Sequence, residues 1–242
     1  FEMINSVQDA AIEKLTTTTG CNAVTVWNSL SWERCGYVSI PLPGGFDDVN
    51  NVAVLDENGN EVPMSVKNGG IEFEASVPAL GFAKYTIVEK GAAGTAARQD
   101  SPDSAGISAG IGADTGTGAD KDMPICVKAN CMENKFYKIS LDENGNLTSI
   151  FDKRNCCEVL EQGRISNLLQ VFEDKPRNET AWNIEIEYQN KGWDLTDGTV
   201  QVLEQTALKG VVRVTRKFNL STIVQDITIY RSIPRIDFKT RV

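Results

Sequence analysis

Apolar and polar residues alternate with a period of two along most of this chain. Ile71, Phe73, Ala75 and Val77 alternate with Glu72, Glu74 and Ser76, the pattern of a half-buried strand. Val38 with Ile40, Val52 to Leu55 and Tyr85 to Val88 fit the same pattern. In the second half, Ile184, Ile186 and Tyr188 alternate with Glu185, Glu187 and Gln189. Val212, Val214 and Phe218 alternate with Arg213, Thr215 and Lys217, and Ile236 and Phe238 with Arg235, Asp237 and Lys239. One apolar and one charged face per strand predicts antiparallel sheets solvated on one side. Only the start of the chain has a helical period. Met3, Ile4, Val7, Ala11, Ile12 and Leu15 share one face of a helix predicted over residues 1–18, within a first segment of 1–20.

Breaks in the pattern divide the chain. Pro43-Gly44-Gly45, Asp56-Glu57-Asn58-Gly59-Asn60 and Asn68-Gly69-Gly70 mark turns, because Asn and Gly tolerate the positive φ of tight connections. Leu-Asp-Glu-Asn-Gly-Asn occurs at 55–60 and again at 141–146. The flanks differ, so this reads as one turn chemistry used twice and not as a duplication. Within residues 91–122, Gly and Ala fill fifteen of the thirty-two positions, and Ile107 and Ile111 are the only large aliphatics. Such a stretch buries too little surface to offset its ordering entropy. The expected organisation is a helix at 1–20, a small antiparallel β-sandwich at 21–90, a Gly/Ala-rich linker or insertion at 91–122 and a larger β-sandwich at 123–242. The fold class is therefore mainly β.

Charge and composition narrow the function. Lys plus Arg is 24 and Asp plus Glu is 33, a net charge of -9. Nucleic-acid binding needs clustered positive charge, so an acidic chain without a basic stripe argues against it and against anionic membrane surfaces. No apolar run approaches the roughly 20 residues of a spanning helix. There is no histidine, which removes Ser-His-Asp and Cys-His catalysis and every zinc site that uses imidazole. The six cysteines are Cys21, Cys35, Cys126, Cys131, Cys156 and Cys157. None has CxxC spacing, and Cys156 and Cys157 are too close in sequence for an easy mutual bridge. Reduced thiols in a cytoplasmic setting are the expectation. The sequons at Asn146, Asn178 and Asn219 read as chance matches.

The candidate chemistry sits between 172 and 182. Phe172-Glu173-Asp174-Lys175-Pro176-Arg177-Asn178-Glu179-Thr180-Ala181-Trp182 mixes acids, bases and an indole after an apolar strand at 168–171. Carbohydrate sites use this mixture, since carboxylates and amides bond sugar hydroxyls while an indole stacks on the apolar sugar face. The plainer reading is a salt-bridged loop with Trp182 anchoring it to the core. Paired acids such as Glu173 with Asp174, or Asp194 with Asp197, have the residue types for glycoside hydrolysis, but neighbours on a strand point to opposite faces. Trp27 and Trp32, bracketing Asn28 to Ser31, read as core packing. Trp193 reads as a turn anchor, and Asn134 as a strand-edge cap.

Several stretches, in order, resemble the C-terminal β region of family 38 glycoside hydrolases, the α-mannosidases. They are Val26-Trp27-Asn28-Ser29-Leu30-Ser31-Trp32, Glu133-Asn134-Lys135-Phe136-Tyr137, the run Leu141 to Lys153, Phe172-Glu173-Asp174-Lys175-Pro176, Ala181-Trp182 and Pro234-Arg235-Ile236-Asp237-Phe238. The resemblance implies that residues 1–20 are the last helix of a helical bundle. It implies that 123–242 begin a large, galactose mutarotase-like super-sandwich, and that the chain is a fragment lacking an N-terminal catalytic barrel. In the family that barrel carries a zinc ion held by His and Asp, and an Asp nucleophile. No catalytic or metal-binding residue carries over here, and no zinc is expected on this chain. Asp174, Arg177 and Trp182 are the residues expected at the rim of a site for mannose-containing oligosaccharides. The expected partners are that sugar, the barrel and, where subunits associate, further copies of the chain. A non-catalytic carbohydrate-binding or purely structural sandwich is the alternative.

Overall fold

The computed structural model of this chain describes residues 22–90, 123–178 and 182–242. The helix expected at 1–20 and the Gly/Ala-rich segment at 91–122 lie outside the described residues. The chain divides into two compact units, Phe1–Thr115 and Gly116–Val242. Both are antiparallel β structures, and the expected mainly β class is what is found.

In the first unit, β1 (Ala23–Asn28), β6 (Gly81–Glu89) and β3 (Val52–Leu55) form one sheet in the order β1-β6-β3. A second sheet has the order β2-β5-β4, from β2 (Arg34–Pro41), β5 (Gly70–Val77) and β4 (Met64–Lys67). The register places Val38 and Met64 opposite Phe73, and Ile40 and Val66 opposite Ile71. Val52, Val54, Ile71, Phe73, Ala75, Tyr85 and Ile87 form the buried core between the sheets. Each fully buried large side chain contributes about 1.5–3 kcal/mol. Contrary to the half-buried pattern expected, all four residues Val52 to Leu55 are buried. The Asn68-Gly69 turn has φ of 50° and 75°, the doubly left-handed geometry of a tight hairpin. Pro43-Gly44-Gly45 instead lies in the connection from one sheet to the other, since β2 pairs with β5 and β3 with β6.

Asn28 fastens the end of this sandwich. Its Nδ2 donates to the carbonyls of Trp32 (2.7 Å) and Pro78 (2.9 Å), and its Oδ1 accepts from Leu30 N–H at 3.1 Å. The two tryptophans beside it are not core residues. Trp27 is half-buried against Phe82, with ring centroids 5.0 Å apart, and Trp32 is 59% exposed. The expected core packing of Trp32 is corrected. Asn28 holds the turn through polar bonds, so the indole is not needed as an anchor.

The second unit packs a five-stranded sheet onto a four-stranded one. The first has the order β11-β10-β9-β8-β7, from β7 (Cys126–Lys128), β8 (Cys131–Glu133), β9 (Tyr137–Leu141), β10 (Leu147–Asp152) and β11 (Cys157–Glu158). The other has the order β14-β15-β16-β17, from β14 (Thr199–Gln205), β15 (Lys209–Phe218), β16 (Ser221–Tyr230) and β17 (Ile236–Arg241). Met132, Ile139, Leu141 and Leu147 from one sheet bury against Val212, Val214, Ile227 and Ile229 of the other. A two-stranded ribbon, β12 (Gln170–Phe172) with β13 (Gly192–Asp194), carries the long connection between them.

Two sequence expectations fail in this unit. Residues 184–189 are not a strand: Ile186–Asn190 form a 3-10 turn, and Ile184 and Ile186 are 67% and 74% exposed. The alternating glutamates there serve an ion-pair network and not a sheet face. The inner face of β15 is also not wholly apolar. Arg216 follows Val212 and Val214 on that face and is 1% exposed. Its Nη2 donates to the Asn144 carbonyl at 3.0 Å and to Asn146 Oδ1 at 2.9 Å. Asn146 itself is buried, which closes that sequon to a glycan.

Candidate functional site

The segment from β12 to β13 is built on aromatic and charge contacts. Phe172 pairs with Gly192 across the ribbon, and a Cβ on Gly192 would stand 2.6 Å from the Phe172 ring. The ring also meets Tyr188 edge-on at 5.2 Å. Beyond it lies a hollow of about 260 Å³ lined by Glu173, Asp174, Glu185, Glu187, Tyr188 and Lys191 among others. Glu173 is held from both sides, by an ion pair to Lys175 and one to Lys191 at 2.7 Å. These two ammonium groups, Lys175 foremost, hold its carboxyl at about 2, well below the ordinary 4.5. Arg177 stands against Glu185 (3.5 Å) and Glu187 (3.3 Å), two acids of the hollow.

The structure thus places Asp174 in the lining of the hollow and Arg177 in ion pairs with two of its acids, Glu185 and Glu187. Trp182 is 90% exposed. The salt-bridged loop of the plainer reading is present, but the anchoring of that loop by a buried Trp182 is not. An indole this exposed is free to stack on a ligand. The acid pairs proposed as catalytic have other roles. Glu173 is committed to two lysines, and Asp194 accepts from Gln170 Nε2 at 2.8 Å. Trp193 lies in β13, half exposed, with its ring 6.4 Å from Phe218, and is not a turn anchor.

A second cluster gathers motifs far apart in sequence at one end of the second unit. Asn134 is fully buried. Its Oδ1 accepts from Phe136 N–H (2.8 Å) and Tyr137 N–H (2.6 Å), and its Nδ2 donates to the Tyr230 carbonyl at 2.8 Å. The expected strand-edge cap is therefore right, and it also ties two sheets together. Asp152 accepts from Arg154 Nη2 (2.9 Å) and Asn155 Nδ2 (3.0 Å), and Arg154 also donates to the Tyr137 hydroxyl at 2.9 Å. Arg154 foremost holds the Asp152 carboxyl at about 2. The Arg154 guanidinium lies over the rings of Phe136 and Tyr137. Across from it, Tyr230 donates to Asp237 at 2.6 Å with Arg235 over its ring. Burial first, then this bond, pushes the phenol up to about 12. Donors and acceptors here are turned on one another. The cluster is a clamp joining the turns at 134–136, 152–156 and 230–237, and it has little capacity left for a ligand.

The clamp draws on three of the stretches that carry the family resemblance, Glu133 to Tyr137, Leu141 to Lys153 and Pro234 to Phe238. Residues 132–242 match the family model described as the glycosyl hydrolases family 38 C-terminal domain. Alpha-mannosidase G of Dictyostelium discoideum is 29% identical over 117 residues, 46% of this chain and 11% of that protein. A glycosyl hydrolase family 38 protein from Enterococcus faecalis superposes with a TM-score of 0.53 at 13% identity, over 96% of this chain and 33% of that one. At that identity the likeness is one of fold. The chain spans about a tenth of the length of the curated relative and a third of that of the solved structure.

The described residues offer no seat for zinc. Histidine is absent from the whole sequence. Among the described residues no group of three or more Cys, Asp or Glu stands together in a way that could hold a metal. Nor is any helix among them long and apolar enough to cross a membrane. Sequence reasoning missed Arg216 and the clamp. Arg216 was legible as a charge in the inward register of β15. The clamp was not, because its parts are brought together only by the pairing of the two sheets.

Proposed function

We propose that this chain is the non-catalytic β portion of an α-mannosidase, one that removes terminal α-mannosides by a retaining mechanism. It supports a zinc-bearing barrel encoded outside these residues, and it contributes the rim of the sugar site through Asp174, Arg177 and Trp182. The observation that carries this reading is the match of residues 132–242 to the family 38 C-terminal model, together with the similarity to an α-mannosidase. The exposed indole of Trp182 and the carboxylate-lined hollow that includes Asp174 support the rim role, since sugars are held by stacking and by bonds to their hydroxyls. A cytoplasmic enzyme fits the thiols at Cys35, Cys126, Cys131, Cys156 and Cys157, none of which is in a disulfide.

In the full enzyme, Trp182→Ala should raise KM for an α-mannoside about 3- to 10-fold, the loss of about 1 kcal/mol of stacking. The turnover number should stay within twofold. An unchanged KM would remove Trp182 from the rim. The alternative, a self-sufficient carbohydrate-binding module, draws on the same exposed indole. Titration calorimetry of the isolated chain with mannose oligosaccharides distinguishes the two, because heat of binding without the barrel would favour the module.

A further inference from the structure

Cys156 and Cys157 stand outside every role described so far. Both are exposed, at the end of the β10–β11 hairpin. Cys156 has φ of 50°, the left-handed conformation that Gly or Asn adopts at lower cost. The turn around it is fixed by Asp152, which accepts from Arg154 N–H, Arg154 Nη2 and Asn155 Nδ2 at 2.9–3.0 Å. Cys156 Sγ meets the Lys153 carbonyl at 3.6 Å, a weak contact that leaves the sulfur accessible. The other described thiols stand apart. Cys35 lies in the first unit, and Cys126 and Cys131 sit opposite Glu133 and Lys128 in the β7–β8 ladder.

Two neighbouring cysteines have Cα atoms about 3.8 Å apart, whereas disulfides span about 4.4–6.8 Å. The pair is therefore too close to shut into an unstrained disulfide. A larger soft atom, with a longer bond to each sulfur, can bridge it. We propose that Cys156 and Cys157 form a dithiol site for a trivalent organoarsenical or a similarly thiophilic centre. With phenylarsine oxide, two As–S bonds form and two S–H bonds break. The arsenic oxygen leaves as water with both protons, and no oxidation state changes. The two thiols are neighbours in the chain and both exposed, so the second As–S bond closes within one short ring.

The test treats the intact 242-residue chain with one equivalent of phenylarsine oxide and then alkylates it. The expected result is one arsenical per chain, with Cys156 and Cys157 alone protected. The adduct should survive a monothiol wash and be released by a dithiol. Cys156→Ser and Cys157→Ser should each abolish protection, while Cys35→Ser, Cys126→Ser and Cys131→Ser leave it intact. Both thiols lie at the surface, so these variants should keep the far-ultraviolet circular dichroism of the parent. Alkylation of both thiols despite the arsenical, or protection that survives in Cys157→Ser, would overturn the proposal. So would ready loss of two hydrogens from the pair on exposure to a small disulfide, since the pair would then close on itself.

Discussion

A Cβ on Gly198 would overlap the carbonyl oxygen of Asn144, the same carbonyl that accepts from Arg216. The Asp142–Asn146 turn is thus pressed against the connection that leads from β13 into β14. Its counterpart at 56–60 has the same internal bonds: Asp56 Oδ1 accepts from Asn58 and Asn60 N–H at 2.9 and 2.8 Å, and Asp142 Oδ1 from Asn144 and Asn146 N–H at the same distances. Gly59 and Gly145 have φ of 80° and 76°. Only the second copy is bonded to a buried guanidinium. Gly198→Ala should therefore destabilise the second unit by about 1–3 kcal/mol, the range of overpacking in a filled interior. Urea unfolding followed by Trp193 fluorescence would measure it.

Arg216 is buried with Nε and Nη1 lacking a hydrogen-bond partner, and burial lowers its pKa despite Asp142 and Asp197 nearby. A buried charge with unfilled bonds contributes little net stability, whereas removing its acceptor strands it. Arg216→Met combined with Asn146→Leu removes charge and acceptor together and should be neutral or stabilising by about 1 kcal/mol, whereas Asn146→Leu alone should cost about 2–4 kcal/mol. Equal destabilisation by both variants in chemical denaturation would contradict this account.

Asn28 fills both ends of its amide, on the Trp32 and Pro78 carbonyls and on Leu30 N–H. Asn28→Ala leaves those buried groups unpaired and should cost the first unit about 1–3 kcal/mol. Amide exchange at Leu30 and Leu80 should quicken before exchange in β5, and uniform exchange would argue against a local role.

Acid should loosen two loops before it unfolds the sheets. The carboxyls of Glu173 and Asp152 are held at about 2, below ordinary values of 4.5 and 3.8. Their ionised forms are favoured by the fold, so the contribution is complete above those ordinary values and is lost as pH falls towards 2. Amide resonances of residues 173–177 and 152–156 should shift between pH 4.5 and 2. Glu173→Gln should flatten the change in the first loop alone.

Much of this architecture could be read from the sequence. Alternation located β2, β5, β6, β15 and β17, and Asn-Gly turns located the hairpin at Asn68-Gly69, because each depends on residues close in the chain. Ile184 and Ile186 misled because period two marks a strand only when a sheet receives the apolar side, and here the same spacing lines up Glu185 and Glu187 beside Arg177. Asp174 and Arg177 were found by residue type, and the hollow that Asp174 lines, with the pairing of Arg177 to its acids, could not have been. The clamp of Asn134, Arg154 and Tyr230 joins positions about a hundred residues apart. Only the register of two sheets brings them together.

The central claim is that this chain supports and shapes a sugar site whose chemistry resides elsewhere. It is tested most directly by incubating the purified 242-residue chain with an aryl α-mannoside and zinc and following release of the phenol. The account expects no release above the enzyme-free blank at any zinc concentration. Release that scales with chain concentration, and that is lost when Glu173 or Asp174 is changed to the amide, would contradict it.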